Sequence, residues 1–181
     1  TDGDGLLPDA LESAIKTAVS EGRRPKMIYT IPTFQNPQGW TMPLERRQAM
    51  VDVSKAFGVP VLEDDCYVDL RYEGEPITSI HSLDDGGRVM YVGSFSKILA
   101  PGMRMGYMVA PKEVIQRAMS FKAGGGVNQF AALAIEQYLK DNMYQHIEEE
   151  NRALVVKRDA MVASLGENLG TSAKWLVPQG G

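Results

Sequence analysis

The sequence predicts an α/β fold, a mostly parallel sheet flanked by helices, and three observations carry that prediction. Short apolar runs alternate with stretches of helical periodicity along the 181-residue chain, the pattern of strands joined by covering helices. The first three runs are each followed by a polar, turn-rich segment: "TFQNPQG", "DDCY" and "GSFSK". The composition, 44% hydrophobic and 23% charged, is that of an ordinary globular chain. It carries no repeat, low-complexity tract or disordered linker.

The elements follow in order. Residues 8–21 place Leu11, Ile15, Ala18 and Val19 at helical spacing, so the first element is a helix. "KMIYTIP" at 26–32 is a short apolar strand stopped by proline, and "FQNPQGW" at 34–40 is turn chemistry, Asn before Pro and then Gly. Thr41 and Pro43 open a second helix, whose Ala49, Met50, Val53, Ala56 and Phe57 share one apolar face. Gly58 closes it. Further strands are predicted at 59–63, 88–92 and 105–110. Helices are predicted at about 111–122 and 128–140, separated by "AGGGVN", which reads as a helix–helix joint. A long amphipathic helix at roughly 142–165 is expected to turn Ile147, Leu154, Val155, Met161, Val162 and Leu165 inward.

Composition narrows the function. A net charge of -4 with scattered Lys and Arg leaves no basic footprint for nucleic acid. No apolar run approaches the length that spans a bilayer, and the opening "TDGDGLLPDALESA" is acidic where a signal peptide is basic. A single cysteine, Cys66, allows no internal disulfide and fits a reducing, cytoplasmic setting. Cys66 lies among acids, which disfavour a thiolate, so it reads as a small packed residue. No His, Cys and acid cluster has metal-ligand spacing, and His81 and His146 read as structural.

Ligands of open α/β sheets bind outside the carboxyl ends of the strands. If the first three strands run parallel, the three polar segments leave on one edge and converge. "GSFSKILAPGMRMGY" at 93–107 puts a single amine, Lys97, between two serines and an arginine. An amine becomes nucleophilic at neutral pH only if burial or a nearby cation depresses its pKa. Arg104 could be that cation if "LAPG" folds it back, and the alternative is a solvated lysine at a strand end. Ser94, Ser96 and Arg104 together suit a phosphate dianion. The spaced glycines of a Walker loop are absent, so the phosphate reads as the anchor of a cofactor.

Glu63, Asp64 and Asp65 follow an apolar strand directly, where an unpaired acid is costly. Glu63 and Asp65 read as turn caps. Asp64, three residues before Tyr67, has a sharper reading. A buried carboxylate can hold a proton on a heteroaromatic nitrogen while a phenol donates to an oxygen on the same ring. The amide of Asn36 could meet that oxygen from another side, its alternative being a turn asparagine before proline.

In this order, "IPTFQNPQG", "VLEDDCYVDLRYEG" and "GSFSKILAPGMRMGY" resemble the successive motifs of class I/II aminotransferases, fold-type I enzymes dependent on pyridoxal 5'-phosphate (PLP). "DLRYEG" and "PTFQNP" are especially similar to the branch of 2-aminoadipate and broad-specificity aminotransferases, which includes aminotransferase-like domains of some transcription regulators. The resemblance runs from residue 1 to 181. It implies that Lys97 is the Schiff-base lysine and that Asp64 partners the pyridine nitrogen. Asn36 and Tyr67 would reach the ring hydroxyl, while Ser94, Ser96 and Arg104 would hold the phosphate. Lys97, Asp64 and Tyr67 are thereby the implied catalytic residues.

The resemblance also implies amino-acid and 2-oxo-acid substrates, and a homodimer or self-associating chain, since the family's sites form across a dimer interface. Residues 1–141 would be the C-terminal part of the PLP-binding large domain, 142–165 an inter-domain helix and 166–181 the start of a small domain. The family's N-terminal phosphate loop and stacking aromatic, and its C-terminal carboxylate-gripping arginine, would lie outside these residues. The expectation is therefore a partial aminotransferase with little activity alone. Other readings are a PLP-binding sensory domain of a transcription regulator, a PLP-dependent lyase or decarboxylase, and an inert fragment.

Overall fold

A computed structural model describes all of residues 1–181. Helix α1 (Pro8–Ser20) opens on proline, whose fixed φ suits a first helical turn. It buries Ile15, while Val19 is 58% exposed. Strand β1 (Ile28–Thr30) leads into the turn-rich loop 31–43. Helix α2 (Leu44–Phe57) ends as its glycine predicts: Gly58 adopts φ +63° and donates its N–H to the Ser54 carbonyl. Its inward face carries Arg47, Val51 and Ser54 beside Met50 and Val53, and Ala56 is exposed.

Strand β2 (Val61–Asp64), the short helix α3 (Ile80–Leu83) and strand β3 (Val89–Ser94) follow. A single 3-10 turn at Pro101–Met103 precedes strand β4 (Gly106–Val109). The sheet order is β1-β2-β3-β4; β1, β2 and β3 run parallel and β4 returns antiparallel to β3. This is the mostly parallel sheet the sequence predicts.

Strand alternation gives the sheet two unlike faces. Ile28, Thr30, Val61, Glu63 and Val89 are all buried on one side. There Ile28, Val61 and Val89 form a core with Ile15, Met50, Val51, Val53 and Ile80 of the helices. The other side shows Tyr29, Leu62, Asp64, Met90, Val92 and Ser94, all partly or largely exposed. Parallel sheets are ordinarily covered on both faces; this one is covered on one. Every residue of the edge strand β4 is exposed as well.

Helix α4 (Lys112–Phe121) matches the sequence reading, and the glycine run separates it from α5 (Gln129–Leu169). The predicted break near residue 141 is corrected: α5 is one unbroken helix of 41 residues. No Gly or Pro occurs between 129 and 165, and Asp141 and Asn142 cost a helix only a few tenths of a kcal/mol each. Asn128 caps it by accepting from Ala131 N–H at 3.1 Å. Ile147, Leu154, Val155, Val162 and Leu165 are half-buried along it, whereas Met161 is 62% exposed. The final residues fold back: Tyr72 and Glu73 N–H donate to the Gln179 carbonyl at 2.8 and 3.0 Å, and Gly181 N–H donates to Leu70 at 2.8 Å. No helix is long and apolar enough to cross a membrane.

Candidate active site at the carboxyl edge of the sheet

Because β1, β2 and β3 are parallel, the segments after them leave from one edge and meet. Asn36 Nδ2, from the first segment, donates to the Tyr67 hydroxyl of the second at 3.0 Å. The Lys97 ammonium, from the third, lies 5.5 Å from the centroid of the Tyr67 ring, within cation–π range. Asp64 ends β2 on the open face, where Tyr29 of β1 donates to its Oδ2 at 2.7 Å. Cys66 sits beside the Asp64 carboxylate and the Tyr67 hydroxyl, within reach of the Lys97 charge. Burial, and then Asp64, push its thiol up to about 11, so it stays a thiol and not a nucleophile.

The phosphate candidates collect separately. Ser94, Ser96 and Arg104 line one cavity of about 420 Å³ with Gly93, Gly106 and Tyr107, within the size range of ligand sites. Ser96 N–H donates to Ser94 Oγ at 3.1 Å, fixing the turn that points both serines there. The 3-10 turn carries Arg104 to the lining of this cavity, with the two serines. Arg104 takes the left-handed conformation (φ +52°) and Nη1 donates to the Pro101 carbonyl at 3.3 Å. Lys97 is exposed and is not a wall of this cavity. The structure thus groups Arg104 with the serines and Lys97 with Tyr67, Cys66 and Asp64.

Gly93 makes the cavity wall possible. A Cβ there would meet the Tyr107 ring at 2.3 Å, so only glycine admits that tyrosine against β3.

The supporting groups are buried polar residues. Arg47 is fully buried, and five hydrogen bonds spread its guanidinium over the surrounding loops. Nε donates to the Met42 carbonyl at 2.9 Å; Nη2 donates to Pro32 O at 3.2 Å and Thr33 Oγ1 at 3.0 Å. Nη1 reaches the Ile77 and Thr78 carbonyls at 3.4 and 3.2 Å. The loop bearing Asn36 is therefore tied to the core by one side chain. Glu63 caps α3, accepting from Ile80 and His81 N–H at 2.8 and 2.7 Å; burial still pushes its carboxyl up. Asp65, 4% exposed, faces the Thr33 and Tyr91 hydroxyls with Oδ1 unpaired. Burial, and secondarily Glu63, push it up to about 6.

The Lys97 turn is held from α5. His146 Nε2 donates to the carbonyl of Ile98 at 2.7 Å, leaving Nδ1 to accept from Tyr138 at 3.2 Å. The sequence reading passed over Tyr29 and Arg47 and did not connect His146 to this turn. Strand parity alone could have flagged Tyr29, which shares a face with Asp64. Nothing marked Arg47, because an arginine in an amphipathic helix is ordinarily solvated.

The donor set fits PLP. Two hydroxyls and a guanidinium line a cavity suited to a phosphate, a carboxylate faces the open side of the sheet, and an amide–phenol pair stands beside an amine. A family model described as aminotransferase class I and II matches residues 2–181. The aromatic-amino-acid aminotransferase 1 of Thermococcus litoralis is 37% identical over 183 residues, covering 99% of this chain and 44% of the relative. An HTH-type transcriptional regulator of Bacillus subtilis, YisV, is 36% identical over 162 residues, 86% of this chain and 33% of the regulator. The crystal structure of a Pyrococcus horikoshii kynurenine aminotransferase in complex with PMP superposes with a TM-score of 0.93 at 38% identity. That match covers 99% of this chain and 45% of the other. The chain spans less than half the length of these relatives.

Proposed function

Because the chain belongs to the class I and II aminotransferases, a family that implies PLP, we propose that it forms the cofactor-binding core of an enzyme moving an amino group from an amino acid to a 2-oxo acid. One observation supports the assignment of residues: the loops after three parallel strands bring Asn36 and Lys97 each against Tyr67, with Cys66 beside both Tyr67 and Asp64. PLP, when bound, supplies an electron sink that makes the substrate's alpha proton removable.

The chain's own groups do the rest. Lys97 would hold the cofactor through its primary amine, and the same amine would move a proton at the substrate's alpha carbon as general base and acid. Asp64 holds the proton on the ring nitrogen, without which the sink fails. Tyr67, steadied by Asn36, donates to the ring hydroxyl oxygen. Ser94, Ser96 and Arg104 bind the phosphate, and Arg104 does so as a planar fork.

We read residues 1–141 as large-domain structure and the setting as a cytoplasmic homodimer. Kynurenine and aromatic amino acids, acted on by the relatives, are the first donors to test. The likeness to the Bacillus regulator supports a second reading, a sensory module that binds PLP without turnover. Mixing the protein with PLP should produce a new near-visible absorbance band that is absent from Lys97→Ala. An unchanged band in that variant would refute the assignment of Lys97. Amine transfer to 2-oxoglutarate then separates the enzyme from the sensor.

A further inference from the structure

We propose that Tyr29 is a positioning residue for the cofactor's ring nitrogen: its hydroxyl, 2.7 Å from Asp64 Oδ2, holds one carboxylate oxygen so that the other is left for the ring. The inference rests on the reading that Asp64 pairs with that nitrogen.

The placement follows from the sheet. Tyr29 pairs with Leu62, and Asp64 lies two residues further along β2, so both side chains stand on the same, open face. A carboxylate at a strand end turns freely about its last bond, and a single donor on one oxygen removes that freedom. Tyr29 makes no other side-chain hydrogen bond, and 54% of it is exposed. Its hydroxyl therefore does little for the core, and what it does touch is Asp64. Burial, and then the hydrogen bond to Asp64, push the phenol up to about 12, so it remains a donor throughout the working pH range. The Cys66 thiol, the other donor beside this carboxylate, bonds weakly and cannot substitute for it.

The test is a double-mutant cycle read by PLP affinity, measured by absorbance titration of the whole chain. Tyr29→Phe keeps the ring and removes the hydroxyl, so its melting temperature should match the parent's. Its PLP dissociation constant should rise on the order of tenfold, the usual loss for a hydrogen bond to a charged group. In an Asp64→Ala background the same change should have no further effect, because the hydroxyl acts only through that carboxylate.

The inference is overturned if Tyr29→Phe binds PLP like the parent, or weakens it equally with and without Asp64. The reading beneath it fails differently: Asp64→Ala would then bind as well as the parent, or the parent would show no bound cofactor at all. A further readout is the pH at which the bound cofactor's absorbance changes. That pH should move in Tyr29→Phe, and a merely structural role would leave it in place.

Discussion

Replacing Arg47 with methionine tests how the Asn36 loop is built. The side chain is 0% exposed, and its five bonds end on three segments: 32–33, Met42 and 77–78. Methionine of similar length would fill the space and make none of them. The Pro32 carbonyl keeps a partner, since Met42 N–H donates to it at 2.7 Å, but Ile77 and Thr78 lose the guanidinium. Glu63 and Asp65 also lose the cation that partly offsets their burial. Removing one member of such a buried charged set costs about 3–5 kcal/mol, a large share of the roughly 5–15 kcal/mol that holds a domain together. With a urea slope of about 2 kcal/mol per molar, the unfolding midpoint should fall by about 2 M. Arg47→Lys should not restore it, because an ammonium lacks the planar fork. PLP affinity should fall in step, since Asn36 is carried on the loop that Arg47 ties down. A midpoint within about 0.5 M of the parent would refute the clamp. Lost stability with intact PLP affinity would show that the loop is positioned by something else.

Two further predictions follow from buried groups and close contacts. The folded-state value of Asp65 is raised from 3.8 to about 6, so its contribution to stability is present below pH 4 and lost as pH rises through 6, at most about 3 kcal/mol. Asp65→Asn should flatten the urea midpoint between pH 4 and 7, and an unchanged slope would exclude Asp65 as its source. Gly93→Ala would drive a Cβ to 2.3 Å from the Tyr107 ring. The variant should lose about 1–3 kcal/mol to overpacking and bind PLP more weakly, as Tyr107 is pushed into the cavity of Ser94, Ser96 and Arg104. A melting temperature equal to the parent's would show that the ring moves aside freely.

Much of this fold was legible because its signals are local. Pro8, Gly58 and the glycine run before Asn128 mark ends that backbone sterics impose, and the apolar runs are too short to be helices. The expected break near 141 has no backbone cause: Asp141 and Asn142 are weak helix formers, but no Gly or Pro stands there to stop the helix. The convergence of the three polar loops was legible only as a condition on strand direction, which the sheet satisfies. Arg47 and the hydrogen bond from Tyr29 to Asp64 were not legible. Each depends on partners up to 35 residues away, and no local pattern encodes which of several arginines or tyrosines will reach them.

The run of three acids shows how tertiary register makes distinctions that composition cannot. Glu63, Asp64 and Asp65 are chemically near-identical, yet alternation sends Glu63 and Asp65 toward the helices and Asp64 to the open face. A slip of one residue would exchange them. What opposes the slip is Glu63 itself. Its buried charge is tolerable only where it meets Ile80 and His81 N–H, and a carboxylate arriving there from a shifted strand would be one methylene shorter or one residue out of line. The same shift would leave those two N–H groups unpaired, at about 1–3 kcal/mol each. Glu63, which faces the helices, therefore holds the register that turns Asp64 to the open face.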